Sequence, residues 1–145
     1  RQTPCYEMEV QRNLSRILEY LFLNLNRFPK FDVFHVEMKN QIRLQQMLTF
    51  IYEHYGETIT LKEIANAAHI SRSEAGRCFQ TYLGCSPIEA LIQSRLQTAR
   101  RLLCKKTQTL QEISAACGFH SVNYFSRQFK KAYGVTPGQS RDLGK

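Results

Sequence analysis

The sequence predicts an all-α fold, in which a two-helix unit occurs twice, a long central helix joins the copies, and an extra N-terminal helix precedes them. Three observations support this prediction. Apolar residues recur at helical spacing along most of the chain. Five short segments match the pattern of a helix N-terminus. One stretch in the middle of the chain is repeated further along, with the same residue types in the same order.

The extra N-terminal helix is predicted over residues 7–25, where apolar residues follow helical spacing. Residues 26–40 lose that spacing and are interpreted as a linker, with a short extended piece at 31–36. The apolar stripe of 7–25 either pairs with a twin chain, as a homodimer, or packs against the next helix. The sequence leaves both alternatives open.

Seven further helices are expected from apolar spacing and from helix start and stop signals. They cover residues 41–55, 60–68, 71–83, 86–104, 109–117, 121–133 and 136–142. Five of them begin with a capping box, in which a Ser or Thr and a Glu or Gln three residues later satisfy each other's backbone donors. These pairs are Thr60 and Glu63, Ser71 and Glu74, Ser86 and Glu89, Thr109 and Glu112, and Thr136 and Gln139.

The repeated unit covers residues 60–87 and 109–137. Both copies contain Leu-x-x-Ile, a serine, Arg-x-Phe and a closing Gly-x-Ser/Thr-Pro. Small residues in the first helix of each copy allow a close helix crossing. The turn that follows needs a residue that tolerates positive φ, and His69 and Gly118 occupy those positions. Each copy is therefore predicted to be a helix-turn-helix.

The second helix of each copy has one apolar and one polar stripe. The polar residues lie at i, i+3, i+4 and i+7, so each set shares a face. These sets are Ser73, Gly76, Arg77 and Gln80 in the first copy, and Asn123, Ser126, Arg127 and Lys130 in the second. Arginine binds guanine through two parallel hydrogen bonds, and asparagine does the same for adenine. Two matched stripes favour sequence recognition on DNA over a merely solvated surface.

The helix predicted over 86–104 is about 28 Å long at about 1.5 Å per residue. Successive major-groove faces of B-DNA are about 34 Å apart. A helix of this length, with its two turns, can hold two helix-turn-helix units one turn apart on one duplex.

The charge distribution agrees with a polyanionic partner. The net charge is +8, and residues 41–145 hold fourteen Lys and Arg against seven Asp and Glu. Residues 1–40 hold six against five. No apolar run of membrane-spanning length and no signal peptide is visible, so we expect no membrane partner and a cytoplasmic, nucleoid-associated protein.

The cysteines predict neither a disulfide framework nor a metal site. There are five, an odd number, and no Cys-x-x-Cys occurs. Several lie at or beside apolar helix positions, which is typical of reduced core thiols. No catalytic arrangement of side chains can be argued from the spacing. We therefore expect no enzyme activity, no metal and no cofactor.

At these residues the chain resembles the AraC/XylS family of bacterial transcription regulators, over about residues 41–142. The resemblance is strongest in the second unit and its flanks. The residues that carry it are Ile113, Ala116-Cys-Gly-Phe-His-Ser121, Tyr124-Phe-Ser-Arg-Gln-Phe-Lys130, Tyr133-Gly-Val-Thr-Pro137 and Arg141, with Arg95, Ala99, Leu102 and Leu103 in the linker helix. The family implies two homeodomain-like helix-turn-helix subdomains, double-stranded promoter DNA as target, and recruitment of RNA polymerase.

The resemblance, with the polar stripes, also assigns roles to residues. Base contacts are expected from Ser73, Gly76, Arg77, Gln80, Val122, Asn123, Ser126 and Arg127. Phosphate contacts are expected from Ser71, Arg72, His120, Ser121, Lys130 and Lys131. The chain departs from the family at Ala90 and Ser140, where tyrosine is usual. Gly76 has no side chain to offer a base, and Glu74 adds negative charge close to the phosphates.

The family also implies a division of the chain into three parts. Residues 1–40 would be the tail of a missing regulatory domain, and only that domain would bind a small-molecule effector. Residues 41–93 and 94–145 would be the first and second helix-turn-helix subdomains.

Two other functions stay open at this point. One is a DNA-repair protein with a methyl-accepting cysteine, because similar helix-turn-helix units occur in such proteins and Cys5 lies outside the helical body. The other is a helical adaptor that binds protein, which would leave Arg77 and Arg127 without a role.

Overall fold

The computed structural model describes residue 16 and residues 31–143. In that part of the chain every regular element is an α-helix. The seven helices are α1 (Phe31–His54), α2 (Leu61–Ala67), α3 (Arg72–Leu83), α4 (Pro87–Lys105), α5 (Leu110–Ala116), α6 (Val122–Tyr133) and α7 (Pro137–Leu143). The predicted helix 7–25 lies outside the described residues apart from Arg16, which is helical and exposed. No helix within 31–143 combines the length and apolarity that a membrane crossing requires.

The linker predicted for residues 26–40, with an extended piece at 31–36, is wrong where the structure can test it. Residues 31–40 form the first turns of α1. Between Pro29 and Gly56 the sequence contains neither proline nor glycine, so nothing stops the helix from extending towards the N-terminus. Loss of regular apolar spacing therefore did not mean loss of the helix, and the β-branched Val33 and Val36 weaken a helix only slightly.

All five predicted capping boxes are present, and they set the helix boundaries. Four have the full reciprocal pair, with Thr60, Ser71, Ser86 and Thr109 as N-caps. In the fifth, the Thr136 N–H donates to Gln139 Oε1 at 3.0 Å, and the Gln139 N–H donates to Thr136 Oγ1 at 3.2 Å. The remaining helices therefore start within a residue of the predicted positions.

Two separate hydrophobic cores form on the two halves of α4. The first joins α1, α2, α3 and the N-terminal half of α4, and the second joins the C-terminal half of α4 to α5 and α6. No buried residue within 35–143 belongs to both clusters. The α4 residues in the first core are Ala90 and Leu91, and those in the second are Leu96, Ala99 and Leu103. The central helix is thus the element shared by the two cores. Both cores lie in the compact unit Ile42–Lys145.

Both helix-turn-helix turns have the positive φ that the sequence predicts, but their surroundings differ. His69 has φ 55° and is exposed. Gly118 has φ 79°, and a Cβ atom there would lie only 2.7 Å from the Tyr55 carbonyl oxygen. Glycine is needed at 118 for space as well as for conformation, because real Cβ atoms do not approach a carbonyl oxygen this closely.

This difference predicts the effects of two glycine substitutions. Gly118→Ala and Gly134→Ala both place a Cβ at positive φ, since Gly134 has φ 76°. At Gly134 nothing lies within 4 Å of the added atom, so we expect a loss of about 1–2 kcal/mol in unfolding free energy. Gly118→Ala should lose about 1–3 kcal/mol more, because the backbone or its neighbours must shift. Urea denaturation followed by circular dichroism measures both, and equal losses would contradict the close approach.

Candidate nucleic-acid interface

The first helix-turn-helix consists of α2, the His69 turn and α3. Ala65 and Ala68 are buried where α2 crosses α3, and their small side chains allow the backbones to approach. Ala75 and Phe79 of α3 are fully buried on the side that faces the first core. This packing holds one face of α3 against the protein and leaves the other towards solvent.

The second helix-turn-helix consists of α5, the Gly118 turn and α6, and it has the same construction with larger side chains. Ser114 and Cys117 are buried at the crossing. Phe125 and Phe129 of α6 are fully buried, with their ring centroids 5.7 Å apart. Phe119 contacts the Phe125 ring at 5.1 Å and extends this aromatic packing to the turn. The inner face of α6 is therefore anchored by aromatic packing along its length.

The residues predicted to contact bases all lie on α3 or α6, and none of them is buried. Because they are at least partly exposed, a ligand can reach them. Ser73, Arg77, Gln80, Asn123 and Arg127 are exposed, while Gly76, Val122 and Ser126 are partly exposed.

The residues predicted to contact phosphate lie at the N-terminal ends of these helices and beside their outer faces. Ser71 and Ser121 are the N-caps of α3 and α6. Both are exposed, as are Arg72, His120, Lys130 and Lys131. Lys131 also lies close enough to the Glu89 carboxyl to help lower its pKa, although hydrogen bonds from Ser86 are the larger cause. Lys131 is thus near the start of α4 as well as on α6.

The two helix N-termini differ in charge. At α3 the Glu74 carboxylate accepts hydrogen bonds from the Ser71 N–H at 3.0 Å and the Ser71 hydroxyl at 2.8 Å. These bonds lower the pKa of Glu74, so a negative charge stays at this end of α3 near neutral pH. At α6 the Ser121 hydroxyl accepts from the Tyr124 N–H, and the first turn contains no acidic residue. The start of α6 is therefore the better site for an anion.

Gly76 lies in the interior of α3 on its outer side. A Cβ atom added there meets nothing within 4 Å. The missing side chain leaves open space at this point, and the polar stripe of α3 has one functional group fewer than that of α6.

None of the cysteines that the structure describes, Cys78, Cys85, Cys104 and Cys117, forms a disulfide. Burial raises the pKa of Cys117 to about 11, and burial also raises the pKa of Cys78 and Cys85. Such thiols stay protonated near neutral pH, which makes them poor nucleophiles. Cys5, the residue on which the repair hypothesis rests, lies outside the described residues. Within residue 16 and residues 31–143, no group of three or more potential metal ligands occurs.

One functional candidate was missed by the sequence patterns. Arg95 of α4 donates hydrogen bonds to two backbone carbonyls about 40 residues away in the chain, those of Tyr55 and Glu57. Periodicity places this residue on the linker helix but gives no sign of such distant partners. The only sequence signal was its place in the linker-helix part of the family resemblance.

Two helix-turn-helix units on one chain, each with a buried inner face and a polar outer face on its second helix, define a double helix-turn-helix DNA-binding domain. The match to known proteins gives the same result. Residues 64–142 match a family model described as a helix-turn-helix domain. The chain belongs to the AraC family of helix-turn-helix transcription regulators.

Individual relatives support this assignment. The chain is 34% identical over 137 residues to the uncharacterized HTH-type transcriptional regulator YdeC of Bacillus subtilis, a match that covers 94% of this chain and 46% of YdeC. The chain thus spans less than half the length of that relative. An AraC-type transcriptional regulator structure from Chromobacterium violaceum is similar with a TM-score of 0.69 and 29% identity, covering 72% of this chain and 93% of that one.

The DNA-binding domain of AdpA, a global transcriptional factor crystallised in complex with a target DNA, is also similar. The TM-score is 0.65 at 28% identity, over 69% of this chain and 90% of that one.

Replacement of Gly76 by alanine tests the open space on α3. We expect the unfolding free energy to rise by about 1 kcal/mol, because alanine is the better helix residue and its Cβ contacts nothing. Gly84→Ala is the matched control. It also meets open space, but φ 66° makes it destabilising. Urea denaturation of both variants measures the difference, and a destabilising Gly76→Ala would show that the space is occupied.

The capping carboxylates predict a pH dependence that separates the two units. The pKa of Glu74 is lowered in the folded state, so its stabilising effect is fully present above the unfolded value of about 4.3 and is lost as pH falls through the folded value. The stability lost in Ser71→Ala should therefore shrink in acid. The stability lost in Ser121→Ala should not depend on pH in this way, because Tyr124 occupies the position in α6 that Glu74 occupies in α3. Urea denaturation at neutral and acid pH measures both, and a parallel pH dependence would contradict this explanation.

Proposed function

We propose that the protein binds double-stranded promoter DNA in a sequence-specific way, with α3 and α6 as recognition helices in two adjacent major-groove segments. One observation carries the proposal: Arg77 and Arg127 are both exposed, at matched positions of two helices whose opposite faces are fully buried. The crystal structure of the similar AdpA domain with its target DNA supports DNA as the ligand.

The recognition helices divide their residues between base and phosphate contacts. Positions on the outer faces lie against the bases, and the side chains there supply the contacts, since an arginine bound to guanine by two hydrogen bonds discriminates between base pairs. The proposed base-contacting residues are Ser73, Gly76, Arg77, Gln80, Val122, Asn123, Ser126 and Arg127. The helix N-termini and basic neighbours supply phosphate contacts, which fix the register of the protein on the duplex. The proposed phosphate-contacting residues are Ser71, Arg72, His120, Ser121, Lys130 and Lys131.

The second unit contributes more of the affinity and specificity than the first. The first turn of α6 has no acidic side chain, whereas that of α3 has Glu74. Asn123 and Ser126 offer side chains for hydrogen bonds, whereas Gly76 offers none. Phosphate attraction and base contact therefore both favour α6.

The remaining partners belong to the same proposal. Residues 1–40 are the tail of a regulatory part that binds a small-molecule effector, and residues 41–93 and 94–145 are the two subdomains. The change from the first core to the second between Leu91 and Leu96 supports that boundary. RNA polymerase is the protein partner at the promoter, and the protein works at the cytoplasmic nucleoid without enzyme activity or a cofactor. Residues 7–25 either pair with a second copy of the chain, as a homodimer, or pack against the next helix.

Substitution of the two arginines tests base recognition. Arg77→Ala and Arg127→Ala should each cost about 1–3 kcal/mol of affinity for the preferred duplex and relax the preference at one base pair. The Arg127 variant should lose more. Fluorescence anisotropy at fixed salt, with a duplex selected from random sequence by the wild-type protein and with a scrambled duplex, measures both quantities.

Lys105→Ala is the matched charge control, because Lys105 is exposed in the last turn of α4 and lies outside the recognition helices. It should weaken binding little and equally for both duplexes. If all three variants behave alike, or the wild-type protein does not distinguish the selected duplex from the scrambled one, base recognition is wrong. Unchanged affinity in both arginine variants with intact folding would favour the protein-binding adaptor.

A further inference from the structure

Arg95 lies in the middle of α4 and is half-buried against the segment that follows α1. Its Nε–H donates to the Tyr55 carbonyl at 2.7 Å, and its Nη2 donates to the Glu57 carbonyl at 2.8 Å. Carbonyls at the end of a helix have lost their intrahelical partners, and a cation there is also favoured by the helix dipole. The guanidinium thus bonds the Tyr55 carbonyl just past the end of α1, and it shares the Glu57 carbonyl with the Ile59 N–H, which donates to it at 3.1 Å.

The same guanidinium also contacts the second helix-turn-helix unit. Its Cζ lies 5.8 Å from the centroid of the Phe119 ring, within the range of a cation–π contact. A Cβ atom on Gly118 would come within 3.0 Å of both Nε and Nη2. Arg95 thus fills the space between residues 55–57, which follow α1, and the turn that connects α5 to α6.

The backbones on either side of Arg95 also approach each other directly. A Cβ atom on Gly56 would lie 3.1 Å from the Ala116 carbonyl oxygen. Two glycines, Gly56 and Gly118, therefore stand where the end of α1 meets the turn of the second unit. On this side of α4 the two halves of the DNA-binding domain are packed closely.

The cleft between the first half of α4, with the turn before it, and the C-terminal half of α6 contrasts with this junction. That cleft, of about 270 Å³, is lined by Gly84, Cys85 and Glu89 from the first half and by Gln128, Lys131 and Ala132 from the second. It is open space, and the two cores share no buried residue among those described. Because each core packs on its own half of α4, the angle between the units depends on α4 and on contacts that bridge the two units. Among the described residues, Arg95 with residues 55–57, Gly118 and Phe119 forms one such bridging contact, and it is closely packed.

We propose that Arg95 is a positioning residue that sets the orientation of α3 relative to α6, and with it the spacing of the two DNA segments that the protein accepts. This inference rests on the proposed function. A junction that held the two recognition helices loosely would lower the effective concentration of the second helix at its groove after the first has bound.

The chemistry of the junction requires arginine. Its planar fork donates to two carbonyls at once while its face packs on an aromatic ring, whereas lysine is a point charge that can do only one of these well. The first unit has no comparable contact described at its own turn, because His69 is exposed. The Arg95 junction therefore joins the two units and is not a feature repeated within each of them.

A spacing experiment tests the proposal with the intact protein. The probes are the selected duplex, the same duplex with one base pair inserted between its two segments, and duplexes with one segment scrambled. Wild-type protein should lose about tenfold in affinity on insertion, because both segments can no longer be reached together. Arg95→Gln should bind the selected duplex about tenfold more weakly, lose less than about threefold on insertion, and bind each single segment as the wild type does.

Arg100→Ala is the matched control. It also removes a guanidinium from α4, but that group lies 5.1 Å from the Tyr133 ring centroid within the second unit. The Arg100→Ala protein should lose as much affinity on insertion of the base pair as the wild type does. Arg95→Lys, which retains the charge, should behave like Arg95→Gln in smaller measure. An Arg95→Gln protein with the wild-type dependence on the insertion would overturn the proposal.

A measurement without DNA separates this proposal from the proposed function. Residual dipolar couplings of backbone amides should fit one alignment tensor for both units in the wild type and two different tensors in Arg95→Gln. One shared tensor in the variant would overturn the proposal. If the wild type binds DNA without sequence preference, the proposed function fails, and two tensors in the variant would still support Arg95 as the residue that fixes the orientation.

Discussion

The fold depends on the burial of one face of each recognition helix. Phe79 of α3 and Phe129 of α6 are fully buried, and these two helices are twelve residues long. Helices of this length are marginal alone in water, so packing of the apolar side stabilises them and also determines which side faces outward. The polar stripes of α3 and α6 are on the outer faces for that reason. Without this packing the helix would lose its stability, and its polar side would no longer be held towards solvent.

The two units share this construction but not the same electrostatics. Glu74 caps α3 and keeps a carboxylate at its start, while α6 has Tyr124 at that position. The cap improves the stability of α3 and weakens its attraction for phosphate. Near the start of α4, hydrogen bonds from Ser86 are the main cause of the lowered pKa of Glu89, and the positive charge of Lys131 on α6 lowers it further. The first half of the domain therefore has the more stable helix start, and the second half has the helix start that attracts anions more strongly.

Most of the fold could be predicted because its signals are local. Capping boxes act over three residues, so Thr60 with Glu63 or Thr109 with Glu112 is visible in the sequence. The positive φ of His69 and Gly118 is also local. The start of α1 was missed because residues 31–40 lack regular apolar spacing, although neither proline nor glycine interrupts the helix there. The bonds of Arg95 were missed because Tyr55 and Glu57 are about 40 residues away, and periodicity cannot pair residues at that distance. Which exposed residues touch DNA remains a prediction.

The open space around Gly76 has a consequence for how the protein can change over evolutionary time. An alanine at that position would require no repacking, since nothing lies within 4 Å of the added Cβ atom. Substitution at this position can therefore change the outer face of α3 while the buried faces of α3 and α6 stay as they are. Variation can accumulate in one half of the domain while both cores keep their packing.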